Sequence, residues 1–161
     1  MTTALNYLGR KFDVLALRGA KPRGDVRLTQ TLFDEVVGGE VCTGVQKLAQ
    51  RWALEFLTAR GSMGFHLASR GTHFINQAKT GRLRTEVDVN AQFAFAAVLV
   101  RDNLIKEEDD TMHAEDRLSK ATLLSIVLFG DSFQLYVKIE SQAGDTREVI
   151  LPIPITPVNI S

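Results

Sequence analysis

ATLLSIVLFGDSFQLYVKIESQAGDTREVIL, residues 121–151, holds three apolar segments separated by two short polar breaks. In the middle segment, 133–140, Phe133, Leu135, Val137 and Ile139 alternate with Gln134, Tyr136, Lys138 and Glu140. A strand sends successive side chains to opposite faces, so this pattern predicts one apolar and one polar face. The preceding ATLLSIVLF, 121–129, is almost continuously apolar, which predicts a strand covered on both faces. GDS and SQAGD carry the turn residues. TREVIL, 146–151, follows as a third strand. Beyond it, prolines at 152, 154 and 157 supply no N–H. The segment 152–161 is therefore expected to be an extended tail, unsuited to a central strand.

Upstream the period changes. Val45, Leu48, Ala49, Trp52, Ala53, Phe56 and Leu57 recur at intervals of three and four, which predicts a helix with one apolar stripe. Lys47, Gln50, Arg51 and Glu55 lie off that stripe, with Arg51 and Glu55 spaced as an i,i+4 pair. Thr43 is placed to cap its start and Gly61 to close its end. A short helix is expected over 72–79, stopped by Gly81. A longer one is expected over 88–106, apolar nearly all round and so central and largely buried. Three main helices on a small antiparallel sheet, a hairpin plus a third strand, make an α+β domain. The organisation predicted is an arm of strand and loop over 1–40, an α+β domain over 41–151, and the tail. Within the arm, 11–17 and 28–33 are strand candidates around a loop at 18–27.

The chain has 161 residues, 45% hydrophobic and 24% charged, with 19 basic and 19 acidic residues. That is the size and composition of one soluble domain with a full core. Zero formal charge gives little support to nucleic-acid binding, which needs a positive excess. It also gives little colloidal repulsion, as suits a protein that lives in an assembly. Cys42 stands alone, so no internal disulfide is possible. The N-terminus lacks a signal-peptide core and no apolar run approaches the ~20 residues of a spanning helix. Synthesis in a cytosol and no membrane association are the expectations.

Candidate chemistry is sparse. LTARGSMGFHLASRGTHFI, 57–75, concentrates glycines, arginines and histidines between two helices. No lysine follows its glycines as a phosphate loop requires, and G-x-G-x-x-G is absent. Gly61, Gly64 and Gly71 are better explained as backbone turns at a corner between helices. His66, His73 and His113 lack paired ligand spacing, so no metal is expected. No nucleophile elbow surrounds a serine, and Cys42 has no catalytic context. Glu107, Glu108, Asp109 and Asp110 form a polar run better suited to a solvated loop than to paired catalytic carboxylates. No catalytic residue and no cofactor are assigned. In AEDRL, 114–118, Glu115, Asp116 and Arg117 stand just before the first strand of the hairpin. An arginine fork there can lock the loop internally or reach a partner, and both possibilities stand open.

VQKLAQRWALEFLTARGS, then RGTHF, then a long apolar helix, then AEDRL ahead of an antiparallel hairpin, together resemble the baseplate wedge family of contractile-tailed bacteriophages. Members of this family nucleate the tail sheath, and some carry an old "lysozyme-like" label. The resemblance covers about 45–151. Leu57, Thr58 and Gly61 match a leucine-leucine-threonine helix end followed by glycine, with Phe56 replacing the first leucine. Gly71 matches a second glycine before a helix. Glu115 and Arg117 match the ends of a Glu-Pro-Arg triplet, with Asp116 in place of the proline.

The resemblance implies a structural virion subunit in several copies of a sixfold baseplate, made in the bacterial host cytoplasm. Its partners would be other wedge subunits, the tail sheath protein and tube-end proteins. The turn of Glu115, Asp116 and Arg117 would dock on a helical bundle of wedge subunits. Strand addition by a sheath arm would use Arg147, Glu148, Val149, Ile150, Leu151 and Ile153 at a sheet edge. A peptidoglycan-cleaving enzyme using Glu107 and Glu108 is the first rival, and a small-molecule or nucleic-acid binding module the second.

Overall fold

The computed structural model describes residues 13–14, 17–20, 25–28, 41–64, 67–129 and 132–155. The architecture is α+β: β1 (Asp13–Val14), β2 (Leu17–Ala20), β3 (Asp25–Leu28), β4 (Val41–Cys42), α1 (Gly44–Leu57), α2 (Phe74–Lys79), α3 (Glu86–Glu107), a 3-10 turn (Ala114–Asp116), β5 (Leu118–Phe129), β6 (Ser132–Ser141) and β7 (Thr146–Pro154). The last three strands form an antiparallel sheet in the order β5-β6-β7. Helix α1 lies against β6 and β7, and α3 against β5. One face of the sheet thus packs under the helices.

Register follows the alternation in β6. Phe133 opposes Ile153, Leu135 opposes Leu151, and Val137 opposes Val149. Leu135, Val137, Ile139, Val149, Leu151 and Ile153 are all fully buried. Across from them, Leu48, Trp52 and Phe56 of α1 join Phe74, Phe93, Val100 and Leu104 in the same core. Each such side chain contributes about 1.5–3 kcal/mol by leaving water.

The strand β7 runs three residues past 151, to Pro154. Pro152 and Pro154 are exposed while Ile153 is completely buried. This corrects the boundary expected at 151. Proline is tolerated because β7 pairs only with β6 and stands at the sheet's edge. Residues 156–161 lie outside the described segments.

Two apolar segments are less buried than their composition predicts. Strand β5 is not covered on both faces: Leu124, Val127 and Leu128 are exposed. Register shifts between Leu118/Lys120 and Leu123/Ser125 interrupt its alternation, so apolar side chains emerge on the open side. Helix α3 is not central. Val89, Phe93, Ala96, Val100, Asn103 and Leu104 face the core, whereas Val87, Phe95, Val98 and Ile105 are exposed.

Helix α1 departs in the other direction. Off its apolar stripe, Lys47, Gln50 and Glu55 are also buried. Thr43 occupies the N-cap position in an extended conformation, but its side chain makes no cap hydrogen bond. Arg51 does not pair with Glu55; it donates to Glu107 at 3.0 Å.

Helix α2 begins at Phe74, two residues later than expected. Gly81 ends it as the sequence indicates. At φ +67 its N–H donates to the Ala78 carbonyl, while Arg82 N–H donates to that of Gln77. Those two bonds make a Schellman closure, for which glycine carries no Cβ penalty.

At the start of α3, the Thr85 hydroxyl accepts from Asp88 N–H and the Asp88 carboxylate accepts from Thr85 N–H. Hydrogen bonding with the Thr85 side chain, then with its backbone, holds the Asp88 carboxyl below its usual pKa. Thr85→Ala should destabilise the fold by about 1 kcal/mol in thermal unfolding at neutral pH. A depressed folded-state pKa stabilises above the unfolded value and loses that effect as pH falls through the folded one. The Asp88 half of the box should therefore weaken below about pH 4, which a pH series of melts would read.

In the N-terminal region, β1 pairs with β4 and β2 with β3. Strands therefore occupy 17–20 and 25–28, where a loop was expected over 18–27. The strand expected at 11–17 is described only at Asp13, Val14 and Leu17, and the candidate at 28–33 only at Leu28, which ends β3. Strand β3 lies against β7 without forming a ladder with it.

Candidate functional site

The corner after α1 is held by backbone geometry and one buried acid. Thr72 N–H donates to the Thr58 carbonyl at 2.8 Å, and Arg60 N–H donates to the Thr72 carbonyl at 2.9 Å. These bonds form an isolated parallel bridge between Ala59 and Thr72. Gly71 is the residue that permits it. Its φ is +81, and a Cβ there would stand 2.4 Å from the Thr58 carbonyl oxygen.

Gly61 is not the cap of α1. That helix closes at Thr58, whose hydroxyl donates to the Leu54 carbonyl. Gly61, with φ +81, takes the third position of the turn in which Ser62 N–H donates to Ala59. Gly64 accepts from Leu67 N–H and has no positive φ.

Glu55, only 4% exposed, sits beneath this corner. Its carboxylate accepts from Gly71 N–H at 2.7 Å and from the Asn103 amide at 2.6 Å. Arg70 closes the set at 2.8 Å. Arg70 also pairs with Glu107, which Arg51 contacts from α1. One buried carboxylate thus ties α1, the corner and α3 together. Glu55→Gln preserves shape but removes the charge facing Arg70, and should destabilise by about 2 kcal/mol in denaturant unfolding. Nothing in the spacing of Glu55 and Asn103, 48 residues apart, marks them as partners.

Glu115, Asp116 and Arg117 form the 3-10 turn and its exit. Glu115 packs on the first residue of α1, with Oε2 3.2 Å from where a Gly44 Cβ would stand. A carboxylate is favoured there by the free N–H groups of a helix start. Asp116 N–H donates to the His113 carbonyl at 2.9 Å, a bond proline could not make. Asp116 is buried, and its Oδ1 has no partner among the described residues. Arg117 donates to the Asp109 carbonyl at 2.7 Å through Nη2, while its Nε has none. The turn is therefore locked internally at both ends and keeps unused hydrogen-bonding capacity at its centre.

Among the strand residues, Val149, Ile150, Leu151 and Ile153 are buried, Glu148 is exposed and Arg147 half-buried. Glu148 opposes Lys138, an opposite-charge cross-strand pair. The sheet edge at β7 has β3 lying against it; the edge at β5 has no strand beside it among the described residues.

The other chemical candidates do not converge. Glu107 contacts two guanidinium groups, and Glu108 accepts from Leu118 N–H at 3.0 Å. His73 and His113 are exposed, and His66 lies outside the described residues. Cys42 is buried. No group of metal-ligating side chains comes together among the described residues. No described helix is long and apolar enough to cross a membrane. No protein-family model, curated protein or solved structure matches the chain.

Proposed function

We propose that this protein is a non-enzymatic structural subunit of a phage tail baseplate, of the wedge class that starts sheath assembly. The turn of Glu115, Asp116 and Arg117 docks on a helical bundle of other wedge subunits. The sheet then accepts an extended arm of the tail sheath protein along β7. The virion tail is its place of action, in sixfold copies, with tube-end proteins as further neighbours. One observation carries this reading: 147–153, singled out in the sequence, form an outer strand with a ladder on one side only. Such an edge leaves N–H and C=O groups for another chain to complete. The β2–β3 hairpin beside β7 has to share or vacate that position.

The turn gives the more direct test. Arg117 is half-buried and its side chain makes one hydrogen bond, to the Asp109 carbonyl on an exposed loop. Arg117→Ala should lower stability by about 1 kcal/mol while incorporation into baseplates fails. Normal incorporation of the folded variant would remove the docking role.

Truncation tests of the strand have to respect the core. Removing 152–161 would also remove the buried Ile153, so a clean deletion begins after Ile155. The muralytic alternative requires Glu107 and Glu108 to face a substrate. Both carboxylates instead hold parts of the chain together. Peptidoglycan cleavage by the purified chain that disappears in Glu107→Gln would favour that alternative.

A further inference from the structure

The core is left open at one end. Leu128, Phe133 and Ile153 lie side by side across β5, β6 and β7. Cross-strand neighbours point to the same face, and Phe133 and Ile153 point into the core. Leu128 therefore also points to the helix side of the sheet, yet it is 76% exposed. Beside it, Leu83, Val89, Ile126 and Phe133 line a groove between the end of the sheet and the start of α3. The groove measures about 180 Å³. A cavity of ~150 Å³ holds a benzene molecule, so this one has room for one or two aliphatic side chains and not for a helix.

Ile155, the last described residue, already lines this groove. The ladder between β6 and β7 ends at Pro154, so the next residues are no longer bound to the alternation of the sheet. The sequence continues as Thr156, Pro157, Val158, Asn159, Ile160 and Ser161. We infer that this segment of the chain folds back across the open end of the sheet and seats Val158 against Leu128. Val158 and Ile160, two positions apart, share one face of an extended segment and are the apolar side chains it offers.

Reach and continuity select this occupant. Leu128 lies two strand spacings from β7, about 10 Å. Three extended residues span about as much, at ~3.3 Å each. Val158, following Ile155 by that number, is the first apolar side chain able to arrive there. Pro157 brings no N–H to leave unsatisfied in a crossing without a ladder, and it favours an extended Thr156. Other segments outside the described residues would have to come from elsewhere, whereas this one begins inside the groove. The inference goes beyond the proposed function and does not rest on it. A segment turned onto the helix side also leaves the outer backbone of β7 clear.

Leu128→Ser gives the first test. At 76% exposure the substitution would be near neutral if nothing covered the residue. Beneath Val158 it should lower the thermal midpoint of the full chain by about 2–6 °C, and that of a chain ending at Ile155 by less than about 1 °C. Ending the chain at Ile155 keeps β7 whole, so both chains retain the sheet. For the second test, Leu128→Cys combined with Val158→Cys should close an intramolecular disulfide under mild oxidation. It would be read as a monomer that has lost two hydrogens and both added thiols; the unsubstituted chain, with buried Cys42, is the blank. Ser119→Cys, at the far end of β5, should not cross-link with Val158→Cys. Equal midpoint shifts in the full and shortened chains overturn the inference. So does a missing cross-link in the first pair, or one formed as readily by the second. Disulfide-linked dimers from the first pair also overturn it, because the groove would then take the segment of a second copy.

Discussion

Phe56→Ala is expected to destabilise the fold by about 4 kcal/mol, the upper range for truncating a buried aromatic. Phe56 has no exposed surface. Its ring stacks on Trp52 with centroids 4.9 Å apart and meets Phe74 at 4.9 Å and Phe93 at 5.5 Å. Those four rings come from all three helices. Removing the shared one leaves a void that α1, α2 and α3 cannot fill together, because each is also fixed to the sheet or to the corner. The midpoint of thermal unfolding should fall by about 8–16 °C, given ~2–4 °C per kcal/mol at this chain length. Phe56→Leu keeps most of the volume and should recover more than half of the loss.

Gly71→Ala is expected to cost about 3–4 kcal/mol, since it combines backbone strain at positive φ with a clash. The added Cβ would meet the Thr58 carbonyl oxygen at 2.4 Å and its carbon at 2.9 Å. That carbonyl accepts from Thr72 N–H, so it cannot move without breaking the bridge that holds the corner. Gly71 N–H would also leave Glu55. Gly61→Ala is the internal comparison. Gly61 has the same φ of +81, yet a Cβ there meets nothing within 4 Å. It should cost only the strain, about 1–2 kcal/mol. The difference between the two variants in denaturant unfolding measures the close approach itself.

Strict periodicity made the sheet legible. Phe133, Leu135, Val137 and Ile139 alternate, and their burial follows. The stripe of α1 and the glycine stop of α2 were legible for the same reason: each depends on residues near in sequence. Where the sequence misled, a distant contact decided. Arg51 lies one turn from Glu55, but Glu107 draws it away, and Glu55 turns inward to Gly71 and Asn103. Composition could not separate the two apolar faces of α3, because both are apolar and only one meets the core. Strand β5 misled similarly, since register shifts rather than residue types expose Leu124, Val127 and Leu128.

For the candidate site, position was legible and availability was not. The sequence places 146–151 on a strand and 115–117 ahead of the hairpin, while the strand's continuation through Ile153 to Pro154 is legible only in the structure. It does not show that Glu115 packs on the start of α1, nor that β3 lies against β7. Both features depend on segments more than 70 residues away along the chain.

The proposal rests on a foreign strand completing the sheet along β7. Amide hydrogen exchange on the free protein and on the same protein within assembled tails tests this most directly. The account predicts that amides over 147–153 with no partner in β6 exchange quickly in the free chain and become at least tenfold slower once sheath is bound, a change of about 1.4 kcal/mol or more in opening free energy. Unchanged exchange along β7 in sheathed tails, or protection gained only along the β5 edge, would contradict it.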